Sequence, residues 1–179
     1  MKAISMHQPH ASLFAAGLRL YETRTWFPDH GVVGQQIAIQ AARYVDKGNI
    51  RLAEKLLLTG DDTAAALVAS MAGTPSGLWG QFGKVRMPVG CIVCLIDLDA
   101  AFELGDIAEG TLRTGSRVKR VIGGPNRSPP SCFSVPHDAF GDFSPGRWAW
   151  LLRNPKPVKP MKMAGRQRFF ELPQGWLVS

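Results

Sequence analysis

The sequence predicts an α+β fold in one domain spanning residues 1–179. Three observations predict it. Six stretches with strand character are spread along the chain, short helical patterns fall between them, and no internal repeat divides it into modules. With 45% hydrophobic and 20% charged residues, the composition is that of a globular protein large enough for a real core.

Residues 1–5 open as the first strand. Pro9 suits the first position of a helix, where its missing N–H is not needed. Ala11, Leu13, Phe14 and Ala15 supply a compact apolar turn, and Gly17 is placed to stop it in a left-handed conformation. In residues 20–25, Tyr21, Thr23 and Thr25 favour an extended chain, and on a strand Leu20, Glu22, Arg24 and Trp26 share one face. Residues 36–42 alternate as a further strand. Residues 46–58 carry Ile50, Ala53, Leu56 and Leu57 at helical spacing, and Asp61 or Asp62 can cap a second helix running to Met71. The Gly-rich residues 73–83, with Trp79, read as a loop. Residues 89–98 are the clearest buried strand, and 147–152 and 168–172 complete the set of about six. Residues 102–138 read as an inserted loop region, since glycine and proline fill 123–130. Residues 154–160 (NPKPVKP) read as a second stiff, basic loop.

No stretch approaches the ~20 apolar residues of a membrane span, and His7, Gln8 and Pro9 interrupt any signal-peptide core. The three cysteines, Cys91, Cys94 and Cys132, agree with a reducing compartment. The expectation is a cytoplasmic protein with no membrane partner. Cys91 and Cys94 form a C-x-x-C, but three residues apart on a strand they point to opposite faces. Packing explains them better than a shared metal.

Charge is unevenly placed. Of 21 basic residues, 12 lie in residues 110–137 and 143–170, which hold none of the 14 acids. The remainder of the chain is therefore net acidic. Segregation of this kind suggests a basic face for a polyanion. Residues 110–137 contribute Arg117, Lys119, Arg120 and Arg127, and the second stretch contributes Lys156, Lys159, Lys162 and Arg166.

Two signatures near the N-terminus carry the most specific chemistry: Ser5-Met6-His7-Gln8-Pro9-His10-Ala11 and, after Gly17, Glu22-Thr23-Arg24-Thr25-Trp26. An acid, a base and an indole on one strand face are unusual for a plain core strand; the bland alternative is an edge ion pair beside a packed tryptophan. These residues resemble the ASCH family, relatives of the PUA domains that bind RNA. That family opens Ser-x-x-Gln-Pro-Trp-Ala and continues Gly-x-Lys-x-x-Glu-x-Arg-x-Trp. Residues 90–98, 143–152 and 165–170 resemble its later strands in the same order. Arg19 stands at the family's lysine, His10 at its tryptophan, and Phe169 or Phe170 at its closing tryptophan.

The resemblance implies a PUA-like β-barrel of about six strands with short flanking helices and a cleft beside the first helix for a nucleotide or base. In it His7 and Gln8 supply hydrogen-bonding edges, Arg19 and Arg24 bind phosphate or base, Glu22 orients Arg24, and Trp26 offers a stacking face. The basic loops would hold phosphates, with RNA the favoured partner over DNA. A second expectation is a hydrolase acting on RNA or a modified nucleoside. Some small ASCH proteins remove the acetyl group of N4-acetylcytidine with a lysine and a threonine, at positions held here by Arg19 and Glu22. Arginine stays protonated and cannot act as nucleophile or base, but it can polarise a carbonyl with Glu22 as general base. A ribonuclease would need a divalent ion, for which Asp97 and Asp99 could join Glu22. His7, His10 and His30 do not make a convincing ligand set, and no nucleotide-loop, nucleophile-elbow or dinucleotide motif is present. The sequence therefore implies no cofactor and no metal outside a nuclease mechanism. A protein-interaction role for the long loops is a third possibility.

Overall fold

The computed structural model of the protein describes residues 1–29, 31–44, 79–82, 85–108, 115–123, 134–136 and 140–176. Through them run β1 (Lys2–Met6), α1 (His10–Ala15), β2 (Tyr21–Arg24), β3 (Gln35–Ala41), β4 (Trp79–Phe82), β5 (Val85–Pro88), β6 (Cys91–Ala108), β7 (Gly115–Gly123), β8 (Ser134–Pro136), β9 (Trp148–Lys162) and β10 (Phe169–Glu171). Strand predominates over helix. Eight strands belong to one mixed sheet, and β4 with β5 makes a separate antiparallel pair. Packing divides the chain into two compact units. One is Met1–Leu18, Gln36–Ile96 and Asn154–Ser179; the other is Arg19–Gln35 and Asp97–Arg153. The long strands β6 and β9 contribute residues to both.

In the first unit β1 lies between β10, antiparallel, and β3, parallel. Apolar residues on both its faces suit that central place, and Ala3, Ile4 and Met6 are buried. Ala3 packs with Ala38, Ile92, Leu95, Phe170 and Leu172. Helix α1 starts after Pro9, which has no side-chain acceptor for the unpaired N–H groups of the first turn. Gln8 fills that role: its Oε1 accepts from Ser12 N at 3.1 Å while its Nε2 donates to Pro88 O at 2.7 Å. The helix stops as expected. Gly17 takes φ 71°, its N–H donates to Phe14 O, and the Leu18 N–H donates to Leu13 O, both at 3.0 Å.

Cys91 and Cys94 are fully buried on β6, and burial pushes both thiols up to about 12. Thiols that stay protonated are poor nucleophiles. In a Cys132→Ser background, both are expected to resist a thiol-reactive disulfide reagent at pH 8 and to react once the chain is unfolded in urea. A fast reaction in the native state would show that β6 is not packed as described. The sign of the pH effect follows. Unfolded thiols ionise near pH 9 and the folded ones only near 12, so stability falls as pH rises through that window.

In the second unit the later half of β6 pairs with β7, β7 pairs with β8, and β2 pairs with the first residues of β9. Ala100, Phe102, Leu104, Val135, Phe143, Ala149 and Leu151 form its core, with Tyr21, Val118 and Val121 packed against them.

Several expectations are corrected. Residues 102–138 are not one inserted loop, because β6 continues to Ala108 and β7 and β8 follow. Register shifts between Glu103 and Leu104 and between Leu104 and Ile107 break the alternation that would have marked these strands. Gly105 sits at the irregularity, where a Cβ would come within 3.1 Å of the Lys119 side chain. Residues 154–160 lie inside β9 rather than in a loop. Asn154 takes φ 53°, a left-handed conformation asparagine tolerates, and prolines persist in strands at such irregular or edge positions. Residues 79–82, expected in a loop, form β4. The sheet has eight strands rather than about six. Among the described residues no pairing joins its outer strands β10 and β8, so these pairings do not close a barrel. The helices expected at 46–58 and 61–71, and Arg127 with the run 124–130, lie outside the described residues.

Candidate nucleic-acid interface

In the second unit, β2 pairs with β9 so that Glu22 lies opposite Trp150 and Arg24 opposite Trp148. Period-two alternation puts these four on one face and Tyr21, Thr23, Ala149 and Leu151 on the other, where Tyr21, Ala149 and Leu151 join the core. Glu22 is the hub. Arg19 Nη1 meets its Oε2 at 2.9 Å and Arg24 Nη2 meets its Oε1 at 2.8 Å. The Arg19 side chain is 2% exposed, Glu22 9% and Arg24 28%. Gly141 makes room for this packing, since a Cβ there would stand 3.0 Å from Arg19 Nη2 and collide with the Phe143 ring.

Aromatic rings support the face. Trp150 is fully buried and meets Trp26 edge-on, centroids 4.7 Å apart; Trp148 meets Phe27 at 4.8 Å. Trp26 is half-buried, so part of its surface is already used in packing. A second charged group lies alongside. Arg147 Nη1 is 3.2 Å from Asp142 Oδ2, Arg147 Nη2 donates to Thr23 O at 3.4 Å, and Asp142 N donates to Thr23 Oγ1 at 3.1 Å. Hydrogen bonds from the Ser144 side chain and backbone, with a smaller effect of Arg147, hold the Asp142 carboxyl below its ordinary range.

This geometry limits the chemistry. Both Glu22 oxygens already accept from a guanidinium, so Glu22 would have to break one of these pairs before it could take a proton. Two guanidiniums around one carboxylate leave a net positive centre, suited to an anion or to the acceptor edge of a base. The carboxylates considered for a divalent ion are separately engaged: Asp99 Oδ2 lies 3.5 Å from Arg153 Nη1. Among the described residues no three His, Cys, Asp or Glu side chains cluster to hold a metal.

The other expected site residues fall in different places. Gln8 is fully buried with both ends of its amide bonded internally, and His7 is exposed against Tyr44 in the first unit. Arg117 and Lys119 are exposed on β7, while Arg120 stands opposite Glu103 in the register. Lys156, Lys159 and Lys162 are exposed along β9, and Arg166 is exposed just beyond it. Sequence reasoning missed Tyr44. An aromatic beside Arg43, immediately past the strand at 36–42, was the available signal.

Comparison of the sequence with protein-family models gives no match, and comparison with curated proteins gives none either. Among the described residues no helix is long and apolar enough to cross a membrane.

Proposed function

We propose that this chain is a nucleic-acid-binding module of the ASCH type, built on a PUA-like fold, acting in the cytoplasm and preferring RNA to DNA. The observation that carries the reading is the set of three exposed lysines on β9. Lys156, Lys159 and Lys162 recur every third residue in a stretch with no acid, and none of them has an ion-pair partner among the described residues. On a strand Lys156 and Lys162 share one face, about 20 Å apart, and Lys159 lies on the other, so β9 offers separated point charges on both its faces to phosphates. In the second unit Arg24, 28% exposed and held by Glu22, offers a guanidinium that can read an acceptor edge, while Arg19 supports Glu22 from inside the fold. Phosphate contacts give affinity and position, and base contacts give selectivity. Preference for RNA rests on the family resemblance. Gln8 takes no part, because its amide is committed inside the fold.

The test is a titration of the full chain with labelled single-stranded RNA, the matching DNA and a duplex over a salt series, with the oligonucleotide checked for integrity afterwards. Phosphate contacts from Lys156, Lys159, Lys162 and the exposed Arg166 predict that log affinity falls against log salt with a slope of about −3. Salt-independent binding, or none, overturns the reading. Turnover of the RNA that disappears in Glu22→Gln would make the protein a hydrolase instead.

A further inference from the structure

We propose that the C-terminal ends of β1 and β3 form a base-stacking site for single-stranded nucleic acid, with the Tyr44 ring as its platform. The proposal rests on the nucleic-acid reading above and extends it to Tyr44, which lies outside both signatures. Because β1 and β3 are parallel, their last residues end together: Ser5 pairs with Gln40, Met6 with Ala41, and Ala42 N donates to Met6 O at 2.8 Å. His7 and Tyr44 follow at once, their rings edge-to-face with centroids 5.6 Å apart at 67°. Tyr44 is nonetheless 70% exposed, more than any other large hydrophobic side chain among the described residues. The pair therefore holds the tyrosine in place without covering it. An edge-to-face contact leaves at least one face of each ring open to a further flat ring.

Two arginines, Arg43 and Arg166, belong to the same unit. Arg43 is exposed, and its side chain lies across Gly90, where a Cβ would come within 2.9 Å of Nε and 3.2 Å of Cγ. Gly90 takes φ +65° and its N–H donates to Ala41 O at 2.7 Å, and its lack of a side chain leaves room for the arginine. Arg166 is anchored on the face of Ser5 and Gln40. Its N–H donates to Ser5 Oγ at 3.1 Å, and Gly165 packs so closely that a Cβ would lie 2.6 Å from Gln40 Oε1 and 2.7 Å from Ser5 Oγ. The acid of this strand group, Glu171, pairs with Lys2 at the opposite end of β1. An open aromatic ring that follows the exposed Arg43, with no carboxylate supplied by β1 or β3, matches a base and a neighbouring phosphate. A duplex hides its base faces, so the occupant is a single strand.

The experiment compares the wild-type full chain with Tyr44→Ala and Tyr44→Phe, using one labelled single-stranded RNA and its duplex. Tyr44→Ala is expected to weaken single-strand binding by about 5- to 150-fold, the range for losing one base–aromatic stack. Its salt slope, thermal midpoint and duplex affinity stay unchanged, and Tyr44→Phe keeps most of the affinity. If Tyr44→Ala binds as wild type does, the stacking site is wrong and the nucleic-acid reading stands. An equal loss in Tyr44→Phe would assign the effect to the hydroxyl and overturn stacking. If the wild-type chain binds no oligonucleotide, both fall together.

Discussion

Glu22→Ala is expected to destabilise the protein by about 3–5 kcal/mol, read as a shift in the urea midpoint at constant slope. The carboxylate is the shared partner of Arg19 and Arg24, at 2.9 and 2.8 Å. Its removal leaves the Arg19 guanidinium, 2% exposed, as a buried charge without its carboxylate. Arg24 suffers less, because its side chain is 28% exposed and water can replace the lost contact. The asymmetry makes a second expectation. Arg24→Ala costs about 1 kcal/mol or less, since Glu22 keeps Arg19. The double variant Arg19→Met/Glu22→Leu recovers most of the loss, because apolar side chains of similar volume serve a buried site at least as well as an ion pair. A loss below about 1 kcal/mol in Glu22→Ala would mean that water reaches the pair and that the burial is not real.

The parts of this arrangement that follow local rules were legible in the sequence. The stop of α1 at Gly17 needs only a glycine in the left-handed region, and Glu22 and Arg24 share a face because strand side chains alternate. What depends on distant partners was hidden. Gln8 has the side chain of a base-reading residue, yet its Nε2 is taken by Pro88, 80 residues away. Arg19 precedes β2 and reaches Glu22 across three residues by a turn that strand periodicity does not describe. β7 escaped because its register shifts against β6 near Lys119, so apolar residues no longer alternate cleanly. β9 looked finished at Leu152 because Pro155, Pro157 and Pro160 argue against a strand; the left-handed Asn154 lets the chain continue through them. That last error bears on function. The strand puts Lys156 and Lys162 on one face and Lys159 on the other, a placement that a loop would have left open.

Replacing Lys156, Lys159 and Lys162 together by alanine is therefore expected to weaken single-stranded RNA binding by about 100-fold at 0.1 M monovalent salt. It should also flatten the salt slope by about 2, each phosphate contact contributing about 0.7 for a single strand. The fold should be indifferent to the change. All three side chains are exposed, and surface substitutions of this kind move stability by roughly 0.5 kcal/mol or less each. Lower net charge alone would also weaken binding, and Lys2→Ala separates the two causes. Lys2 carries the same charge but pairs with Glu171 at 2.9 Å. Removing it lowers the net charge by one and should leave the salt slope within error of wild type. If Lys2→Ala flattens the slope as much as any one lysine of β9 does, the protein attracts nucleic acid by its overall charge and β9 has no special place. If the triple variant keeps the wild-type slope, the phosphates are held elsewhere. A slope that changes only with the β9 lysines puts the backbone of the nucleic acid along that strand, because counterion release counts only the charges that touch phosphate.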